Sequence, residues 1–346
     1  MKIAFISNKD PALPLIDNDG GAVTPRYYAL ELGKRGHSVD IFTPQVPLEC
    51  SFNTYLHEKS KSQRERVKLI GDNVHVIRLP VAPINRTYFT HGDLKDLPGI
   101  IESFLFAQHF QSGELGNYDL VNLFHPLAAY GIIMSGLIQK TRSILFPMLL
   151  SDEYMKYQPL SLAYCALEER VLQSVDFICS PSAAEKRIVT QKGISPEKVK
   201  IVHRGFDGKL FYPQLRSHCN IPTKIVCTSA IRPQKGQHHL IYAVKNLIES
   251  GKDIQVTLVG ENEHFYKPEH EGYYHKLCSL IEELNLEQRV LFTGAVDPIE
   301  VGNLLRHADI AVFPSESESF GKAMLESMAT ATPTVISEDI EAYEEF

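Results

Sequence analysis

From its first residues the chain alternates short apolar runs with amphipathic stretches, the pattern of successive βα units around a parallel sheet. KIAFIS, Lys2 to Ser7, reads as a buried strand. A polar, glycine-bearing loop follows, and then a helix for which Thr24 offers an N-cap, Pro25 suits the first helical position and Gly36 takes the left-handed C-terminal cap. SVDIFTP is the next strand, and VHVIRLP, YDLVNLF, SILFPM, VDFICS and VKIVHRG continue the series. Helical spacing predicts helices over 97–110, 126–139, 161–174 and 183–191.

The period is lost in GFDGKLFYPQLRSHCNIP, which is rich in glycine, proline and polar residues and reads as a linker. Beyond it KIVCTSA, IQVTLVG, RVLFTG, DIAVFPS and PTVIS supply five more buried strands with helices between them. The helix QHHLIYAVKNLIES sets Leu240, Ile241, Val244, Leu247 and Ile248 on one face. The pattern therefore predicts an α/β protein of two Rossmann-like, doubly wound lobes, residues 1–205 and 223–346, joined by 206–222; two such lobes facing each other would form a cleft. Open parallel sheets bind ligands outside the carboxyl ends of their strands, so the strand-to-helix loops are where chemistry is expected.

Composition narrows this without redirecting it. A chain of 346 residues that is 44% hydrophobic and 22% charged has the makings of two ordinary soluble cores. The formal charge of -7 argues against a broad nucleic-acid surface, which needs clustered cations in excess. The six cysteines are scattered without CxxC pairs or Cys/His ligand spacing, as expected of a reducing compartment and no structural zinc. The amino terminus lacks the charged and long apolar segments of a secretory signal, so the expected location is cytoplasmic. The most apolar stretch, 120–138, contains Asn122, His125 and Pro126, which favours a buried strand and helix over a membrane span.

The most informative segment is FPSESESFGKAMLESMATATPTVIS, residues 313–337. A strand ends near Pro314, an acidic, serine-rich loop follows, and a helix begins near Phe320 and Gly321. The free amides of a first helical turn, with the positive end of the helix dipole, form an anion site. Gly321 lets a phosphate come close. Glu318 precedes the turn and Glu326 lies within the helix, where a carboxylate can accept two hydrogen bonds from the vicinal hydroxyls of a sugar. The bland alternative is a capped surface helix with a solvated Glu326.

With its preceding Pro-Ser and internal Phe-Gly, the segment resembles the Glu-x7-Glu signature of family 4 glycosyltransferases, retaining enzymes of the GT-B fold (glycosyl transferases group 1). The resemblance implies that Glu318 contacts a donor sugar and Glu326 the ribose hydroxyls, and that the backbone from Ser319 through Phe320 and Gly321 to Lys322 holds a diphosphate. SAIRPQKGQHHLI, 229–241, is similar to the family's Gly-Arg-Leu-x3-Lys-Gly motif, which assigns the charge of the leaving phosphate to Lys235. Ser229 and Ala230 stand where glycine and arginine are usual, and Arg232 is the candidate to supply the missing guanidinium. The Gly20-Gly21 loop and the following Arg35, Gly36, His37 and Val39 resemble the family's amino-terminal glycine loop and Arg-Gly-His-x-Val segment, which makes Gly20 and Gly21 donor-binding candidates whose backbone can come close to a phosphate or an acceptor, and LEERVLQSVDFICSPS and VHRGFDGKLFYP match as well.

Two departures stand out. The family's histidine at the end of the strand written here SILFPMLLS is missing, and His125, at the end of the preceding strand, is the candidate substitute, although a lone histidine there is more often a packed residue. Family members also continue through further βα elements and a crossing helix, so the resemblance implies a donor lobe cut short at Phe346.

The implied activity is retaining transfer of a hexosyl group from a nucleoside-diphosphate sugar, UDP ahead of GDP, to an acceptor hydroxyl on a glycan, a lipid-linked sugar or a small metabolite. Residues 1–205 would form the acceptor lobe and 223–346 the donor lobe. A nucleotide-sugar-binding or scaffold protein that has lost catalysis, or a sugar-nucleotide epimerase on the same fold, remain as alternatives. No cofactor and no metal are expected. Asp17-Asn18-Asp19 spells DxD but lies in the glycine loop, and His238 and His239, adjacent on a helix, should face different directions. The basic run Lys59 to Lys68 reads as a solvated loop or helix face, with a peripheral membrane contact as the alternative the family suggests.

Overall fold

The computed structural model describes residues 1–9, 20–44, 65–68, 73–81, 84, 96–138, 141–148, 150–154, 160–214, 221–261 and 268–346. Contacts divide the chain into two units, Met1–His203 and Arg204–Phe346. Each is a sheet wound with helices.

The first unit contains strands β1 (Lys2–Ser7), β2 (Ser38–Pro44), β3 (Glu65–Lys68), β4 (Val74–Leu79), β5 (Leu120–Phe124), β6 (Arg142–Phe146), β7 (Phe177–Ser180) and β8 (Val199–Ile201). They lie in the order β3-β4-β2-β1-β5-β6-β7-β8. All pairs are parallel except β3 with β4. Its helices are α1 (Gly20–Lys34), α2 (Leu97–Gln108), α3 (Pro126–Met134), α4 (Ser151–Tyr154), α5 (Leu162–Ser174) and α6 (Ala183–Gln191).

Successive side chains of a strand point to opposite faces, and both faces of this sheet are covered. Ile3 and Phe5 of β1 join Val39, Ile41, Val76 and Phe124 in one cluster with Ala29 of α1. Ala4 and Ile6 join Leu79, Val121, Leu123 and Leu145 in the other, with Phe106 of α2, Ile132 of α3 and Val171 of α5. That double burial makes the strands read as continuous apolar runs. Asp40 is buried within such a run, where Tyr118 donates to it at 2.8 Å and Arg66 at 3.0 Å.

The second unit contains β9 (Thr223–Thr228), β10 (Ile254–Val259), β11 (Val290–Gly294), β12 (Ile310–Phe313) and β13 (Thr334–Ile336), in the all-parallel order β11-β10-β9-β12-β13. Its helices are α7 (Gln237–Glu249), α8 (Pro268–Glu283), α9 (Pro298–His307) and α10 (Lys322–Ala329). Leu240, Ile241 and Val244 of α7 pack with Ile225, Cys227, Val256 and Leu258 of the sheet and with Leu277 and Ile281 of α8.

Several expectations are corrected. Helix α1 begins at Gly20, so Gly20 and Gly21 form its first turn rather than a loop, Thr24 is not its cap and Pro25 lies inside it. A proline this near a helix start forfeits one bond, to the carbonyl four residues back, at the end that frays most easily. Leu247 is exposed although it shares the apolar spacing of α7, because it falls beyond the edge of the buried stripe. The end of the basic run, Glu65–Lys68, is an antiparallel edge strand rather than a loop or helix, and residues 59–64 lie outside the described ones. The segment read as a linker packs, through residue 214, on the second unit: Phe211 is buried, and the Arg306 guanidinium donates to the Leu210 carbonyl at 2.7 Å and covers the Tyr212 ring. Among the described residues no helix is long and apolar enough to cross a membrane.

Candidate active site

In the second sheet the strand order reverses between β9 and β12, which creates the crevice where doubly wound sheets bind ligands. The loop leaving β9 carries Arg232 and Lys235, and the loop leaving β12 carries Ser315, Glu316 and Glu318. The fold thus brings together two segments that are some eighty residues apart in sequence. Lys235 Nζ donates to Glu318 Oε1 at 2.5 Å, and Ser315 Oγ donates to the same oxygen at 3.1 Å. Both charged side chains are mostly buried, with 20% and 15% exposure, so the pair holds its geometry better than a surface ion pair would.

The backbone explains why Lys235 sits there. Arg232 precedes a single 3-10 turn, Pro233–Lys235, which ends at Gly236 in the left-handed conformation, and α7 starts at the next residue. Gly236 is required twice over: its φ is +64°, and a Cβ would fall 2.0 Å from the Pro314 carbonyl oxygen at the end of β12. The Glu316 amide completes the join by donating to the Gln234 carbonyl at 2.8 Å. Gln237, fully buried, donates to Ser229 Oγ and to the Ala230 carbonyl, tying the start of α7 to the end of β9. Beneath it Cys227 packs in the core, and burial pushes its thiol up to about 11.

Helix α10 opens at Lys322 behind Gly321, whose φ of +84° is again left-handed. A Cβ there would fall 2.5 Å from the Tyr343 ring. Phe320 is buried and contributes to packing, whereas Ser319 and Lys322 remain partly exposed. The first-turn amides of α10 have no acceptor within the helix and lie next to the Glu318 loop. Glu326, 8% exposed, is paired along the helix with Lys322. Tyr343 belongs to the same locale: burial, and then the Glu318 charge, push its phenol well above the ordinary tyrosine value.

The candidates of the first unit sit at its own reversal of strand order, between β1 and β5. Gly20 and Gly21 open α1. His125 ends β5 with a φ of +82° and caps α3, its Nδ1 accepting from the Leu127 amide at 3.2 Å. Such a φ is costly for a residue with a side chain and recurs at functional positions. Asp17, Asn18 and Asp19 lie outside the described residues.

Sequence reasoning noted Ser315 as part of the segment's signature without giving it a contact with Glu318, and it missed Tyr343, which lies beyond the last strand and carried no signal. It also misplaced two histidines. His238 and His239 do not diverge: their rings are 3.9 Å apart between centroids, and both Nε2 atoms turn towards Glu316. They occupy the first turn of α7 just behind a left-handed glycine, where side chains lean back over the helix end and need not follow the helical spread.

Two Rossmann-like units, the second carrying a lysine–carboxylate pair and an open helix end at its switch point, define the GT-B class of α/β proteins. Comparison with known proteins carries this to a family. Residues 19–205 match the family described as glycosyl transferase 4-like domain, and residues 220–346 match glycosyl transferases group 1. The chain belongs to this glycosyltransferase family, and its class is that of a hexosyltransferase.

A D-inositol 3-phosphate glycosyltransferase of Corynebacterium glutamicum is 26% identical over 97% of this chain and 80% of its own length. An MMP alpha-(1->4)-mannosyltransferase of Mycolicibacterium hassiacum is 31% identical, over 50% of this chain and 40% of its own length. Among solved structures, sucrose-phosphate synthase from Thermosynechococcus elongatus superposes with a TM-score of 0.75 at 20% identity, covering 97% of this chain and 81% of that one. Anabaena HepE in complex with UDP-glucose does so with a TM-score of 0.65 at 20% identity, covering 100% and 83%. At such identities the structural likeness speaks for the fold.

Proposed function

We propose that the protein transfers a hexosyl group from a nucleoside-diphosphate sugar, UDP ahead of GDP, to an acceptor hydroxyl, with retention at the anomeric carbon. The observation that carries this reading is the Lys235–Glu318 pair at the β9–β12 switch point, next to the opening of the helix that bears Glu326. A diphosphate leaving group develops negative charge, and a preorganised cation with helix amides stabilises that charge without reorganisation. In the ligand-free protein Glu318 neutralises Lys235; a bound donor offers Lys235 phosphate oxygens and leaves Glu318 to accept from sugar hydroxyls. Glu326 holds a buried place from which its carboxylate can exchange Lys322 for the two hydroxyls of a ribose. Arg232, three residues before Lys235, is the second cation assigned to the diphosphate.

This reading gives no metal a part in the transfer step, because protein cations and amides carry the phosphate charge. The acceptor belongs to the first unit, which also offers His125 as the candidate for the transfer step and Gly20 and Gly21 as candidates for the donor. A reducing, cytoplasmic setting, with contact at a membrane face through the basic run ending at Lys68, is proposed with it.

The test is a thermal-shift series on this chain with UDP, GDP, ADP and their common sugars. A ligand that binds only the folded state raises its melting temperature, by about 2.7 kcal/mol of stabilisation at a hundred times its dissociation constant. A rise with uridine nucleotides that disappears in Glu326→Ala is the expected result. No rise with any nucleotide, in a protein that melts cooperatively, would overturn the reading.

A further inference from the structure

His238 and His239 at the start of α7 and Glu316 in the loop after β12 take no part in the donor reading, yet they converge. One nitrogen or oxygen from each lies within 4.8 Å of the others. His239 Nε2 is 3.1 Å and His238 Nε2 is 3.7 Å from Glu316 Oε1. We propose that His238, His239 and Glu316 form a site for a divalent transition metal of the zinc class, which fastens the lysine loop to the glutamate loop.

The distances suit ligands of one ion. With metal–nitrogen and metal–oxygen bonds of about 2.1 Å, the edge of a tetrahedron is roughly 3.4 Å, and the two histidine–Glu316 separations fall on either side of that value. A plain hydrogen bond accounts for His239 but not for His238, whose Nε2 is too far from the carboxylate. The other nitrogen of His238 is already engaged: Nδ1 lies 2.9 Å from the Tyr273 hydroxyl, which also accepts from the His238 amide at 3.3 Å. The Tyr273 contact aims Nε2 at Glu316, and in the tautomer with the proton on Nδ1 that nitrogen offers its lone pair there. An outer partner that fixes the aim of a ligating histidine is the usual companion of a metal site.

The Glu316 backbone is anchored too, its amide donating a hydrogen bond to the Gln234 carbonyl. Two imidazoles and a carboxylate select zinc, cobalt, nickel or copper over magnesium and calcium, which prefer oxygen-only sites. The exposed His239 side leaves the fourth position to water.

The ion would bind three residues beyond Lys235 and two before Glu318, bridging the two loops that the Lys235–Glu318 pair already joins. The inference stands on three side chains and their supports, and its test uses no nucleotide, so it succeeds or fails apart from the donor reading. Chelator-treated protein is titrated with zinc chloride in a calorimeter and with cobalt chloride in a visible spectrometer. The expected result is one zinc per chain with a dissociation constant near or below about 1 µM and cobalt bands of a nitrogen–oxygen site without thiolate charge transfer. His239→Ala and Glu316→Gln should each weaken zinc by about 10-fold or more, and Tyr273→Phe by a smaller factor. Far-ultraviolet circular dichroism confirms that each variant is folded. Absence of saturable zinc binding below about 100 µM, or an affinity unchanged in folded His239→Ala and Glu316→Gln, would overturn the proposal.

Discussion

At the residue scale the site is a set of charges placed by a few backbone positions. Lys235 stabilises phosphate charge in the proposed transfer, so Lys235→Ala should lower kcat/KM by about 100- to 1,000-fold, a loss typical of a missing electrostatic stabiliser. Steady-state kinetics with the donor found by thermal shift would measure this. Lys235→Arg should restore little, because a planar guanidinium cannot occupy the place of a compact ammonium that contacts Glu318 at 2.5 Å. Gly236 answers to backbone geometry. Gly236→Ala forces a methyl against the Pro314 carbonyl and a side chain into the left-handed region, so urea unfolding should show a loss above about 1 kcal/mol. An unchanged midpoint would mean that the two loops are not joined as described.

At the element scale, helices begin where the chain supplies a cap. Ser161, Ser182 and Asp297 each accept a hydrogen bond from an amide of the first turn of α5, α6 and α9. Asp297→Ala should cost about 1 kcal/mol, read as a lowered urea midpoint with the denaturant slope unchanged. Helix α10 is different: its cap is Gly321, which has no side chain to bond the first amides. An end left open next to Glu318 is suited to an anion. Strand and helix positions were legible in the sequence because buried parallel strands are apolar throughout and the covering helices keep their spacing, as in 97–110 against Leu97–Gln108 and 183–191 against Ala183–Gln191. The start of α1 was not legible, since Thr24-Pro25 imitates a cap although the helix opens at Gly20.

At the scale of the whole molecule, several weak acids are folded into apolar surroundings. Burial pushes Cys227 from 9.0 up to about 11 and Tyr273 from 10.0 up to about 12, and raises Tyr118 and Tyr343 further. A group whose folded value is raised keeps its proton longer in the native state than in the unfolded chain. Its stabilisation is therefore complete below the unfolded value and is lost as pH climbs through the folded one. Urea midpoints should hold up to about pH 9 and fall steadily towards pH 11, with a shallower fall in Cys227→Val. Equal slopes in the two proteins would show that Cys227 is not the buried neutral thiol described.

By itself the sequence determined what local pattern can determine: two α/β units, strands and helices within a few residues of their places, and a segment from Phe313 to Ser337 that carries the two candidate glutamates and the start of a helix. Those follow from burial and backbone propensity, which act over a few neighbouring residues. Only the tertiary structure decided the partnerships. Lys235 meets Glu318, and His238 and His239 turn together onto Glu316, because β9 and β12 are neighbours in the sheet, and Tyr343, beyond β13, covers Gly321. The spacing along the chain holds no record of that adjacency; it arises when the strands pair.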